Sequence, residues 1–185
     1  MSTIIAAPAI TTWNVDSTHS VVEFKVKHMM ISNLKGHFTG VTGTLSLDEA
    51  DLTESSVEAA IEIASIHTLD AGRDAHLKAA DFFDAEQFPT TQLKSTHIAV
   101  KSDGELVVTG DLTIKGVTRG VRFAVEGPSP ATKDPWGNTR IGVAATTKIN
   151  RKDFGLTWNA ALEAGGLMVG EDIGITLDLQ FVKQA

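Results

Sequence analysis

Asp16, His19 and Ser20 place the three side-chain types of a nucleophilic triad within one five-residue stretch. A triad works only when the imidazole lies between the hydroxyl and the carboxylate, and neighbours at the start of a strand rarely reach that geometry. These three are expected to form a turn. A second grouping is Arg73, His76, Leu77 and Ala80, whose helical spacing would project a cation, an imidazole and apolar contacts from one face. Such a face could hold a ligand head group or, with His19, supply acid–base chemistry to an enzyme acting on that ligand. The preferred reading is plainer: Arg73 and His76 bond strand-end carbonyls or a neighbouring carboxylate. His28, His37, His67 and His97 would need strand pairing to gather them around a metal, and nothing in their spacing predicts that. No nucleophile elbow, P-loop, dinucleotide fingerprint or zinc-helix motif occurs. The sequence therefore offers no catalytic residue, no metal and no cofactor.

Bulk composition narrows the classes further. The 185 residues are 42% apolar and 21% charged, enough for one domain with its own core. There is no cysteine, which excludes disulfides, thiolate metal sites and a thiol nucleophile. A formal charge of −7 and a pI of about 5.3 repel phosphate backbones and anionic bilayers, so neither nucleic acid nor stable membrane insertion is expected. Residues 1–12 are read as a flexible segment lacking a secretory signal and residues 13–185 as the single domain, which points to the cytoplasm.

The elements that must carry these residues show a period of two. Val22, Phe24 and Val26 alternate with Glu23, Lys25 and Lys27; Val57, Ala59, Ile61 and Ile63 alternate with more polar neighbours. The pattern recurs at Leu106–Ile114, Val121–Val125, Ile141–Ile149 and Ile173–Phe181. Turn clusters at 102–104 and 127–137 separate the runs, which predicts a meander of antiparallel hairpins. Sandwich and barrel both fit, and closure into a barrel is preferred because an open sheet would leave awkward edges. Gly110, Gly142 and Gly174 interrupt alternating runs and are read as points of curvature.

One segment, 67–89, departs from alternation. Arg73–Phe83 lacks β-branched residues and predicts one short helix, supported by an Asp74–Lys78 ion pair and ended well before Pro89. The inner faces carry Val, Ile, Leu and Phe with small residues such as Ala59 and Ala145 interspersed. That composition fits either a solid core or a lined slot, and the solid core is the more frequent outcome. Trp13, Trp136 and Trp158 are read as core or rim anchors.

Jointly, several stretches resemble the YceI-like family of lipocalin-like, polyisoprenoid-binding proteins from about Trp13 to Val182. They are Trp13–Ser20, Gly36-His37-Phe38, Arg73–Leu77 with Asp81–Asp84, Phe88-Pro89, Gly110–Thr118 and Arg151–Gly155. Lys115 stands where the family pattern has His, and Phe88 where Tyr is frequent. The resemblance implies an all-β fold: an extended eight-stranded antiparallel barrel with one short α-helix, whose apolar tunnel holds an isoprenoid or fatty chain with its head near the opening. It favours the lined cavity over the solid core, and a homodimer. The residues expected to bind the chain are Phe24, Val26, Phe38, Leu112, Ile114, Phe123, Ile149, Phe154 and Ile175, with Arg73 and His76 near the head group. The implied task is carriage, storage or sequestration of the lipid; the alternatives are an enzyme acting on it or a scaffold without a ligand.

Overall fold

The computed structural model describes residues 10–185. In chain order its elements are β1 (Ile10–Val15), β2 (Val21–His28), β3 (Ser32–Phe38), β4 (Val41–Asp48), β5 (Ser56–Glu62), β6 (Ile66–His67), α1 (Ala71–Lys78), β7 (Thr90–Val100), β8 (Leu106–Ile114), β9 (Val117–Glu126), β10 (Thr132–Lys133), β11 (Thr139–Asn150) and β12 (Val169–Lys183). All pairings are antiparallel. β12 pairs with β11 on one side and with both β1 and β2 on the other, so the sheet closes on itself.

The closed sheet is an eight-stranded meander in which three staves are interrupted. β1 and β2 share one neighbour, β12, and are separated by a helical turn at Ser17–His19. β3 and β4 are parted at Thr39-Gly40, and β5 and β6 by a turn at Ile63–Ser65. β7, β8, β9, β11 and β12 run unbroken. The alternation explains the result: on β2, Val22, Phe24 and Val26 stand opposite Leu177, Ile175 and Ile173 of β12, all facing inward. Closure gives every long strand a partner on each side over at least part of its length.

Several expectations are refined here. The first strand begins at Ile10, where Ile10–Thr12 pair with Ser46–Asp48, so of the segment expected to be flexible these three residues are ordered and the remainder lies outside the described residues. Gly110, read as a point of curvature, is a point of close approach: a side chain there would meet the Lys94 carbonyl at 2.8 Å, beside a bulge in β7 between Ser95 and His97. Gly142 and Gly174 have ordinary space around them. The expected Asp74–Lys78 pair does not form. Asp74 instead accepts from the Thr68 amide and hydroxyl and from His67, because the chain entering α1 folds back over its first turn. Burial opposes ionisation of Asp74, but those hydrogen bonds hold it below the ordinary aspartate value. Trp13 is fully buried with its indole N–H bonded to Thr11, whereas Trp136 is exposed on the β10–β11 hairpin.

Asp16, His19 and Ser20 form the expected turn. Asp16 caps it and bonds His19 at 2.9 Å, while the Ser20 hydroxyl turns away to the Gln180 backbone, so no triad assembles. The turn has a partner that its own spacing did not announce. Arg140 reaches Asp16 at 2.5 Å and Asp134 at 2.7 Å, tying the break between β1 and β2 to the β10–β11 hairpin. Hydrogen bonds from Thr18, Arg140 and His19 hold the Asp16 carboxyl well below the usual range, and Arg140 with Asn138 does the same for Asp134.

Candidate functional site

The interior of the barrel is not filled. Two separate buried clusters form, one around Trp13, Val41, Ile63 and Phe181, the other around Leu112, Phe123, Phe154 and Leu156. Members of both line a shared cavity of about 260 Å³. In a solid barrel the two would interdigitate at crystal-like density. α1 and the turns after it lay Leu77, Phe82 and Phe83 against the cavity, and the turn Leu52–Glu54 lays Leu52 against it. These two turns lie at opposite ends of the β5–β6 stave, so the cavity runs along the barrel.

The wall is apolar except for Ser55, Thr91 and Arg151. Phe24 packs on Phe38, and Phe38 on Phe83. Gly36 lies opposite Phe24 on the neighbouring strand, and a Cβ there would fall 2.4 Å from the ring, so only glycine lets the ring lie where it does. Water gains little inside such walls because it finds too few polar partners, so an apolar space of this kind stays dry or takes an apolar guest.

Nine of the sequence-derived residues line this cavity: Phe24, Val26, Phe38, Leu112, Ile114, Phe123, Ile149, Phe154 and Ile175. Arg73 and His76 are not among the lining residues. Arg73 donates to the Thr68 carbonyl at 3.2 Å, and His76 bonds Asp81 at 3.0 Å while its ring packs edge-on against Phe82 and Trp158. Arg73 fastens α1 to the chain before it and His76 to the turn after it, as the residue types alone favoured; Leu77 is the residue of that face that reaches the cavity. No group of histidines and carboxylates suited to a metal occurs among the described residues. No helix there is long and apolar enough to cross a membrane.

The departures from the family pattern meet at one place. Lys115 sits in the β8–β9 turn and donates to the Ala80 carbonyl at 2.7 Å, and the Phe88 ring packs over Gly116 beside it. Neither residue lines the cavity.

Arg151 is the charged residue of the lining that the sequence-derived set does not contain. β9 and β11 pair only at Ala124–Glu126 and Ala144–Thr146, and below that the seam parts. The helical turn Arg151–Phe154 contacts both β9 and β12 there, burying Phe154 and Arg151. Burial pushes the guanidinium below its ordinary pKa, with the charge of Glu171 opposing. An arginine beside Lys152 and Asp153 reads as a surface charge in sequence, and only the parted seam draws it inward.

Comparison with known proteins agrees with this architecture. A family model, the YceI-like domain, matches residues 13–181. A UPF0312 protein of Staphylococcus aureus (strain MSSA476) is 38% identical over 173 residues, spanning 93% of this chain and 98% of the relative. Among solved structures, Burkholderia cenocepacia BcnA has a TM-score of 0.75 at 23% identity, covering 90% of this chain and 98% of its own. A polyisoprenoid binding domain from Saccharophagus degradans has a TM-score of 0.67 at 14% identity, covering 95% and 100%. At these identities the two structures establish a shared fold.

Proposed function

The chain belongs to the YceI-like family, and from that premise we propose that it binds a long-chain isoprenoid or other amphiphilic lipid inside the barrel and carries, stores or sequesters it without chemical conversion. The observation that carries this reading is the nearly all-apolar lining of a cavity of about 260 Å³. Left empty, such a space forgoes the dispersion contacts that its apolar wall would make with a guest. A buried chain recovers about 0.8 kcal/mol per methylene, so occupancy stabilises the fold as it captures the ligand. The shared fold of a polyisoprenoid binding domain supports the choice of ligand class.

Native mass spectrometry of freshly purified protein, followed by denaturing extraction, tests the proposal. A prenyl or acyl species at near-stoichiometric occupancy is the expected result. A bare mass that persists after incubation with polyprenyl, quinone and fatty-acid lipids would refute it. Phe123→Trp, which fills the cavity from β9, should lower occupancy. His76→Ala, outside the lining, should leave occupancy unchanged and release no product. Cytoplasmic residence and a homodimer belong to the same proposal, tested by fractionation and by solution mass.

A further inference from the structure

The exposed apolar side chains are not spread evenly over the barrel. Five of the nine large ones among the described residues, Met29, Met30, Ile31, Leu69 and Leu167, lie at one end. β2 ends and β3 begins there, joined by the three-residue turn Met29–Ile31. The Met29 amide donates to the Met168 carbonyl at 2.7 Å and Val169 pairs with His28, which sets Leu167 beside the turn. β6 runs antiparallel to β3, so Leu69 and α1 leave the sheet on the same side. At this end Leu77, Phe82 and Phe83 line the cavity. Met29 and Met30 have φ of 50° and 60°, a left-handed backbone that glycine and asparagine adopt at least cost. Met30 is 60% and Ile31 80% exposed, so their side chains gain little packing on the barrel in return.

Charge sets this hairpin apart as well. From Phe24 to Gly36 the sequence holds Lys25, Lys27, His28 and Lys35 and no acidic residue. Lys25 and Lys27 point outward, since Phe24 and Val26 face the cavity. Lys25 stands opposite Lys35, a like-charge pair across the strands that Glu23 relieves only at Lys35, at 3.2 Å. Lys25 and Lys27 are exposed and form no ion pair among the described residues. The loop that carries Leu167 adds one acid, Glu163. The opposite end of the barrel is acidic: Glu49, Asp51 and Glu54 lie between β4 and β5, and Asp103 and Glu105 between β7 and β8, against Lys101.

We propose that this end of the barrel docks on an anionic lipid bilayer, with Met29, Met30 and Ile31 entering the headgroup region and Lys25 and Lys27 meeting lipid phosphates behind them. A net charge of −7 repels such a surface at a distance, but charges more than a Debye length of about 8 Å away are screened, so at contact the cationic hairpin decides. The acidic far end turns away, which fixes the orientation. A three-residue turn reaches only interfacial depth, so the attachment is peripheral and reversible. A second copy of the chain suits the tip less well, because the tip is convex and a symmetric contact would set lysine against lysine. The docking rests on the lipid-binding reading above for its purpose: it brings the α1 end of the cavity to a source of ligand.

Flotation of the full-length protein with phosphatidylcholine vesicles, with and without about 30% phosphatidylglycerol, tests this. Binding to the phosphatidylglycerol vesicles is expected to exceed that to the neutral ones at least roughly tenfold. Met29→Asn with Met30→Gly and Ile31→Ser, residues that the turn accepts, should keep the fold and lower that binding at least roughly tenfold. Lys25→Gln with Lys27→Gln should lower it roughly tenfold on the phosphatidylglycerol vesicles alone. Met30→Trp should gain quenching by brominated lipid that wild type, with Trp136 exposed at the far end, lacks. Equal binding to both vesicles, no binding by wild type, full binding by the tip variant or an unquenched tip would overturn the docking. A dimer in solution that the tip variant abolishes would do the same and assign the tip to a second copy. Each of those results leaves the lipid-binding reading standing wherever extraction still yields a bound lipid. Vesicle binding by a barrel that yields none would remove that reading and spare the docking.

Discussion

The two halves of the barrel are built differently although they face the same cavity. From β7 onward the long strands run for 9 to 15 residues and their inner faces alternate, apart from bulges in β7 and near the start of β12. Before β7 each stave is broken, and polar side chains hold the chain at two of the breaks and beyond them: Asp16 to Arg140 and Ser20 to Gln180 between β1 and β2, Ser65 to the Glu62 carbonyl between β5 and β6, and Asp74 to Thr68 where the chain enters α1. The contrast teaches how a meander that must both close and be capped divides its labour. Long regular strands carry apolar packing, whereas interruptions let the chain turn over the end of the barrel, and each exposed set of backbone groups then needs a side-chain partner.

If that division is right, the largest loss should come from the apolar half. Phe181→Ala on β12 removes a ring that is 2% exposed and is expected to cost about 3–5 kcal/mol in urea denaturation. A loss below that of a polar anchor would break the comparison. Gly36→Val should come next, at up to about 3 kcal/mol, because its Cβ collides with Phe24 and Thr68. The same change should push Phe24 into the cavity and reduce ligand occupancy. Gly174→Val, on the unbroken β12 with room around it, should stay within about 0.5 kcal/mol and serves as the control.

Smaller effects probe the anchors themselves. Asp74→Ala strands the buried Thr68 amide and hydroxyl and should cost about 1–2 kcal/mol. Hydrogen exchange should then quicken in α1 and not in β11 or β12. The smallest and most pH-dependent effect is Arg140→Gln. Asp16 and Asp134 are held below the ordinary aspartate value of 3.8, so the stability they contribute is complete above it and is lost as the pH falls through their depressed values. The melting temperature of the variant should trail wild type at neutral pH, and the gap should close below about pH 4. A gap that widens on acidification would show that Arg140 acts through something other than these carboxylates.

The regular half was legible because a strand packed on one face must alternate. Ile173, Ile175, Leu177, Leu179 and Phe181 could be assigned to the inner face without coordinates, and nine cavity residues followed from the same pattern and the family resemblance. The broken half was less legible, since three-residue turns leave no periodic trace. There Asp74 was given an ion pair along the helix that tertiary contacts redirected to Thr68. Arg73 and His76 were correctly placed on the helix, but their hydrogen bonds point back to its flanks.

By itself, then, the order of apolar and polar residues determined that the chain is an antiparallel all-β meander with one apolar face, a pattern that fits a sandwich as well as a barrel, and the family resemblance favoured the barrel. Whether that interior is full was decided only in three dimensions. The space inside depends on how many strands close the ring and on their stagger, a property of strand pairing and not of any one segment. Arg151 was decided there as well: a charge becomes buried when β9 and β11 part and the turn after β11 occupies the gap, an event that involves residues far apart in the chain.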